Sequence, residues 1–342
     1  MMRLREKTLE ELEDWEEELN DREQESGHPN YATKIELFRE MVRRFQQLVR
    51  QNKDDYSHEL EYVKWKLIYS LIHYGTYLKT VYQKDDHLAA KCLEEALKYD
   101  RTNPIAAYRL GFLSYKKRNY SEAIQYFELT LTNHKYYEKH QYQLDDQQVI
   151  HAHIYLTNSA LKIAKEAYEK MNQLPQSANQ NIPIHEFSSL FLNLQENEQY
   201  LQRNAFYQLT GDEKTTCSKE ECERLIDSEP SNTIILYFSD RNITAFFEGE
   251  DVSLSADQGI MLQYFLLKSS EDHPATRNAF SDVETIKQNT FVQKVNRLKN
   301  KLREKGLPPM IQTKRYQGET AYYFDGSCEF YIMYRVDDVE SE

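Results

Sequence analysis

Apolar residues return along this chain at two different spacings. From Leu4 to about Thr210 they recur every three or four positions, which puts them on one face of a helix. Leu4, Leu9, Leu12, Trp15 and Leu19 mark a first helix within residues 1 to about 25, with Thr8 placed three before Glu11 as a capping box. Gly27-His28-Pro29-Asn30 then breaks the chain. Ile35, Leu37, Phe38, Met41, Phe45 and Leu48 predict a second helix, and Leu60, Val63, Trp65, Leu67, Ile68, Leu71 and Ile72 a third. Residues Gln148 to Leu174 predict a long helix around Ile150, Ile154, Leu161, Ala164 and Tyr168, and His185 to Gln208 a further one beyond a polar loop at 175–183. A short helix, Ser218 to Ile226, lies between Thr210-Gly211-Asp212 and Ser228-Glu229-Pro230-Ser231-Asn232, the natural junction between the helical array and the C-terminal third of the chain.

Beyond that junction the pattern mixes helix and strand. Leu254-Ser255-Ala256-Asp257-Gln258 opens a helix with Ile260, Met261, Tyr264, Phe265 and Leu267 as its apolar set, and Thr276 to Phe280 begins a short second one. The third is the most informative stretch, Asn289 to Lys305. Its apolar residues Phe291, Val295, Leu298 and Leu302 are spaced four, three and four apart, on one stripe. Gln293, Lys294, Asn296, Arg297, Asn300, Lys301 and Arg303 occupy the other faces, the side-chain types that match base edges and phosphates. Taken alone, such a helix is usually a solvated surface helix. Two alternating segments come next, Met310 to Arg315 and Thr320 to Phe324, around Gln317-Gly318-Glu319: a hairpin.

Helix, helix, basic helix and hairpin is the order of a winged helix-turn-helix. The region from about Asn232 to Phe324 resembles the DNA-binding domain of OmpR/PhoB-type bacterial transcription regulators. The likeness is most specific at Val295-Asn296-Arg297-Leu298-Lys299-Asn300-Lys301-Leu302, which is similar to the family's Ile-Ser-Arg-Leu-Arg-Lys-Lys-Leu recognition helix. Thr313-Lys314-Arg315 stands where the family's Thr-Val-Arg enters the wing, and Ile234 to Glu248 fits the small antiparallel sheet that the family places before its first helix. The family's wing turn, Gly-x-Gly-Tyr, is replaced by Tyr316-Gln317-Gly318 with Tyr322 displaced, and no receiver domain is recognisable. The resemblance implies the fold more than the family's regulatory logic.

A second resemblance lies upstream. Pro104 to Tyr137 contains Leu110-Gly111, Tyr115, Tyr120, Ala123 and Phe127, and this resembles a tetratricopeptide repeat (TPR). Ala89, Leu93 and Ala96 stand 34 residues before Ala123, Phe127 and Thr130. Small residues let helices cross closely, aromatics fill the gaps, and each pair needs the next to stack on. The expected fold is therefore mostly α: a TPR-like α-solenoid followed by a C-terminal winged helix-turn-helix (α+β) domain. Residues 1–29 form an acidic N-terminal helix, 30–211 the TPR-like repeats, 212–231 a linker helix and 232–342 the winged domain.

Composition changes this picture in three ways. The length, 342 residues, suits about two domains. The formal charge is -13, unfavourable for a DNA binder until it is localised. Between Thr276 and Tyr316 ten basic residues stand against three acidic ones, a net of +7, which leaves -20 on the remainder. Residues 1 to 25 alone carry -7. Finally, no run of eighteen apolar residues marks a membrane span, the first residues lack a secretory h-region, and Cys92, Cys217, Cys222 and Cys328 form no CxxC pair or disulfide framework. A cytoplasmic, reduced protein without membrane contact is expected.

Catalytic signatures are absent. His151 and His153 point about 200° apart on a helix and cannot share a metal there. The 9 glycines form neither GxGxxG nor a Walker loop, and no Ser or Cys sits in a nucleophile motif. A non-enzyme with no cofactor is expected, its partners duplex DNA and a protein or peptide held in the TPR-like groove. Lys294, Arg297 and Lys301 would face the DNA from one stripe, with Gln293 and Asn300 as base readers. Lys314 and Arg315 would hold phosphate or the minor groove through the wing, and Arg277 and Lys287 the flanking backbone. Whether a homodimer reads a repeated half-site is left open.

Two other readings stand beside this one. In the first, the chain is a TPR adaptor or scaffold whose winged helix binds protein, with the C-terminal strand Glu329 to Val336 extending a sheet edge toward the partner. In the second, a signalling peptide on the repeats switches DNA affinity, as in bacterial peptide-sensing regulators, although those carry their DNA-binding part at the N-terminus.

Overall fold

The computed structural model describes residues 4–26, 30–51, 56–80, 85–139, 142–173, 188–211, 213–239, 243–280 and 288–337. The chain is mostly helical, with a sheet region toward the C-terminus. In order it forms helices α1 (Leu9–Ser26), α2 (Tyr31–Arg50), α3 (Ser57–Thr80), α4 (Asp86–Tyr99), α5 (Pro104–Lys116), α6 (Tyr120–His134), α7 (Asp146–Asn172) and α8 (Ser188–Arg203). Next come strands β1 (Phe206–Thr210) and β2 (Glu213–Cys217), helix α9 (Lys219–Asp227) and strands β3 (Thr233–Phe238), β4 (Ile243–Phe247) and β5 (Glu250–Leu254). Helices α10 (Ala256–Lys268) and α11 (Gln288–Glu304) precede β6 (Ile311–Tyr316), β7 (Glu319–Phe324) and β8 (Glu329–Arg335). Among the described residues no helix is long and apolar enough to cross a membrane.

The chain folds into two compact units, each drawing on separated segments. One combines Met1–Lys84 with Phe206–Arg335, the other Asp85–Ala205 with Val336 and Asp337. The expected domains are contiguous, and these units are not: α2 and α3 belong with the sheet rather than with α4 to α8.

In the first unit α2 packs on α3 through the stripe that the periodicity marks, with Ile35, Phe38, Met41 and Phe45 buried. Helix α1 is held against them. Its Leu12 and Leu19 are buried, and Glu16, between them, accepts from Lys66 Nζ of α3 at 2.7 Å in a buried pair. Arg44 of α2 adds hydrogen bonds to the carbonyls of Arg5 and Lys7. The apolar stripe of α1 is thus occupied within the chain, as a helix packed on its neighbours requires.

The same unit holds a six-stranded sheet in the order β2-β1-β8-β3-β4-β5. Two expectations are corrected here. The segment Glu329–Arg335 is no edge strand: β8 lies between β1, antiparallel, and β3, parallel. Its apolar run is uninterrupted because both faces are covered, and the consecutive residues Ile332, Met333 and Tyr334 are all buried. The helix expected to reach Gln208 ends at Arg203, and Phe206 to Gln208 belong to β1, where pairing with both β2 and β8 overrides local helical spacing.

In the second unit α5 packs on α6 and α6 on α7, with α4 against α5 and α8 against α7. Asn103 caps α5 by accepting from the Ala106 N–H at 3.0 Å, and Pro104 is the helix's first residue. Gly111 lies so close to the Phe127 ring that a Cβ there would sit 2.9 Å from it. Tyr108, Ala123 and Phe127 are fully buried around that crossing. The segment after β8 is anchored in this unit: Gln148 Nε2 donates to the Val336 carbonyl at 2.8 Å, and the buried Tyr108 hydroxyl donates to Asp337 at 2.5 Å.

Candidate nucleic-acid interface

Helix α11 is organised by its buried stripe. Phe291, Val295 and Leu298 are fully buried and Leu302 nearly so, against α10 and β7. Phe291 sits 5.6 Å from the rings of both Phe280 and Tyr322. Gly306 stops the helix at φ +83°, where the Leu307 N–H reaches back to the Leu302 carbonyl and the Gly306 N–H to that of Arg303. That pair of bonds satisfies carbonyls which the helix end would otherwise leave bare. Leu307 is buried and closes the end.

The other faces are polar. Gln293, Asn296, Arg297, Asn300 and Arg303 are exposed, while Lys294, Lys299 and Lys301 are half-buried along the flanks. Lys301 Nζ donates to Gln258 Oε1 at 3.2 Å. Gln258 also completes the capping box of α10 with Ser255, so one side chain both starts that helix and steers a cation on its neighbour. Arg303 donates to Asn300 Oδ1 at 3.0 Å, which orients the amide. Lys299 donates to Thr313 of β6 at 3.3 Å and lies 5.7 Å from the Tyr322 ring; partial burial there lowers its pKa from the ordinary lysine value.

The hairpin β6–β7 comes after α11. Its two-residue turn, Gln317-Gly318, has φ +49° and +85°, the left-handed pair that matches the twist of a tight hairpin. Ala275 adds a third line, exchanging two backbone hydrogen bonds with Tyr322 at 2.7 and 3.0 Å. Arg315 is exposed and donates to the Gly318 carbonyl at 3.2 Å. Lys314 donates to the Glu271 carbonyl at 2.8 Å with that residue's carboxylate 3.9 Å away, and Arg277 pairs with Glu319 at 3.0 Å.

The structure therefore gathers Gln293, Lys294, Arg297, Asn300 and Lys301 on α11, with Lys314 and Arg315 on the strand after it. It sets an acid beside Lys314 and another beside Arg277. Of the second helix expected to begin at Thr276, Arg277–Phe280 form a 3-10 turn, and residues 281–287, Lys287 among them, lie outside the described residues. Sequence reasoning missed Glu271, Glu319 and the acceptor role of Gln258. Only Gln258 carried a signal, the Ser255-x-x-Gln258 spacing of a capping box. Helix α1, with Glu10, Glu13, Asp14, Glu17 and Glu18 exposed, also packs against α11. An acidic helix thus neighbours the basic one.

His151 is buried with Nδ1 3.7 Å from Asp337, whereas His153 is exposed, so the two imidazoles part. Among the described residues no group of three or more His, Cys, Asp and Glu side chains could hold a metal ion. No family model, curated protein or solved structure matches the chain.

Proposed function

We propose that this protein is a cytoplasmic, sequence-specific DNA-binding regulator in which α11 is the recognition helix of a winged helix-turn-helix. The observation that carries the reading is the two-sided character of α11: Phe291, Val295, Leu298 and Leu302 buried, and Gln293, Asn296, Arg297 and Asn300 exposed on the far side. A rod of this kind suits the major groove, where Gln, Asn and Arg read bases bidentately and lysines position the backbone. The hairpin, with Arg315 on its first strand beside the turn, would hold flanking phosphate. Helices α4 to α7 would form a TPR-like module for a protein or peptide partner, with α5 and α6 as its clearest repeat.

Arg297→Ala tests the assignment. Loss of a base-reading guanidinium weakens specific binding by roughly 1–3 kcal/mol at fixed salt in a gel-shift assay. Unchanged affinity removes Arg297 from the interface.

A second reading, an adaptor whose winged helix binds protein, is favoured by one observation. Two of the cations expected to meet DNA, Arg277 and Lys314, already face Glu319 and Glu271. Under that reading duplex DNA binds weakly and without preference for sequence.

A further inference from the structure

The sequence shows four cysteines without a pairing motif, yet the fold brings two of them together. Cys217 closes β2, Cys222 lies in the first turns of α9, and their sulfurs are 3.3 Å apart. We propose that Cys217 and Cys222 are a thiol–disulfide pair, a covalent modification site whose substrate is a small-molecule disulfide of the glutathione class. Such a pair would operate whether or not the chain binds DNA.

Three features of the corner support it. Ser218, the residue between β2 and α9, caps the helix and accepts from the Glu221 N–H at 3.1 Å, while the Cys222 N–H bonds the Ser218 carbonyl. That turn fixes both sulfurs on the same side. The surroundings are also easily opened. Strand β2 is an edge strand of the six-stranded sheet, and Glu213, Lys214 and Thr215 on it are exposed. Helix α9 has nine residues, of which Cys222 is buried and Leu225 and Ile226 are half-buried. A short helix beside an edge strand opens locally at less cost than the sheet interior, and its opening presents the thiols to solvent.

The two thiols are also inequivalent. Either thiol can donate in this contact; donation from Cys222 lowers the Cys217 pKa and raises that of Cys222. Cys217, at the end of an edge strand, is assigned as the attacking group, an order that the C222S and C217S variants test. Its thiolate forms a bond to one sulfur of the small disulfide, whose S–S bond breaks to release one small thiolate. Once Cys217 is in the mixed disulfide, the interaction that raised Cys222 is gone. Cys222 then gives its proton to solvent, attacks the Cys217 sulfur and expels the second small thiolate. The protein loses two electrons and two protons, and the small disulfide is reduced to two thiols.

The test equilibrates the full chain with mixtures of glutathione and oxidised glutathione, then alkylates it under denaturing conditions and measures mass. Two cysteines should escape alkylation, in a peptide linking Cys217 to Cys222, while Cys92 and Cys328 remain alkylated. The folded protein should reach half-oxidation at a glutathione ratio about tenfold or more further toward reducing than the same chain in urea, because folding holds the sulfurs together. C222S should trap a glutathione adduct on Cys217, and C217S should gather far less on Cys222. Four alkylated cysteines at every ratio, a link to Cys92 or Cys328, or a folded pair no easier to oxidise than the unfolded one overturns the proposal. Equal adducts in the two variants overturn the order of attack.

Discussion

At the scale of single residues, spacing marked many of the buried apolar positions, although Ile150 and Ile260, read on the same kind of stripe, are exposed. Gly111 illustrates how. Leu110-Gly111 and Phe127 stand where a TPR-like repeat expects a close helix crossing, and the Phe127 ring fills the space a Cβ would need. Gly111→Ala must push that ring, which is walled in by Tyr108 at 6.0 Å and Tyr155 at 5.3 Å. The substitution should destabilise the fold by about 1–3 kcal/mol, read as a lower urea midpoint with an unchanged slope. An unchanged midpoint would mean the crossing is looser than its geometry. Likewise Phe291, Val295, Leu298 and Leu302 were legible because a helix repeats every 3.6 residues. Polar partners were not. Glu271 contacts Lys314 from 43 residues away, and no local pattern encodes an acid arriving from another turn of the chain.

At the scale of elements, most helices were legible, but strands β1 and β2 and the strand order were not. An apolar run such as that of β8 says that both faces are covered but not by which neighbours, so Glu329–Arg335 was expected at an edge and lies inside the sheet. Helix α2 offers a pH test of local electrostatics. Glu40 accepts from Arg43 Nε at 2.9 Å and Arg44 Nε at 3.0 Å, and the Arg43 hydrogen bond foremost lowers its carboxyl pKa from the ordinary 4.5. A carboxylate with a depressed folded value contributes stability above pH 4.5, and that contribution is lost as pH falls through the folded value. Glu40→Gln should therefore cost about 1 kcal/mol at pH 7 in urea denaturation, with the gap to wild type closing under acid conditions. A gap that stays constant with pH would show that charge is not what the pair contributes. Helix α1 offers a functional test. Its exposed Glu13, Glu17 and Glu18 belong to a helix packed on α11, where they would oppose an approaching phosphate backbone. Changing all three to Gln should raise duplex affinity at low salt by roughly two- to tenfold and have little effect at high salt. Equal affinity at both would leave α1 a packing element alone.

At the scale of the whole molecule, a division into consecutive domains hides how the chain is built. Each unit is completed by a distant segment: β8 joins a sheet that begins at β1, and Asp337 meets Tyr108 across 229 residues. Periodicity finds pieces, but long-range closure is set by what remains uncovered once the pieces form. Charge obeys the same logic, since a molecule of -13 overall keeps a net of +7 between Thr276 and Tyr316. A role in regulation at DNA depends on that local excess meeting nucleic acid. The most direct test is the affinity of the intact protein for a random DNA duplex across a salt series. Contacts from α11 and the hairpin predict a log–log slope of roughly -3 or steeper, made shallower by about one in Lys294→Ala. A slope near zero, or no binding at the lowest salt, would contradict the DNA-binding reading.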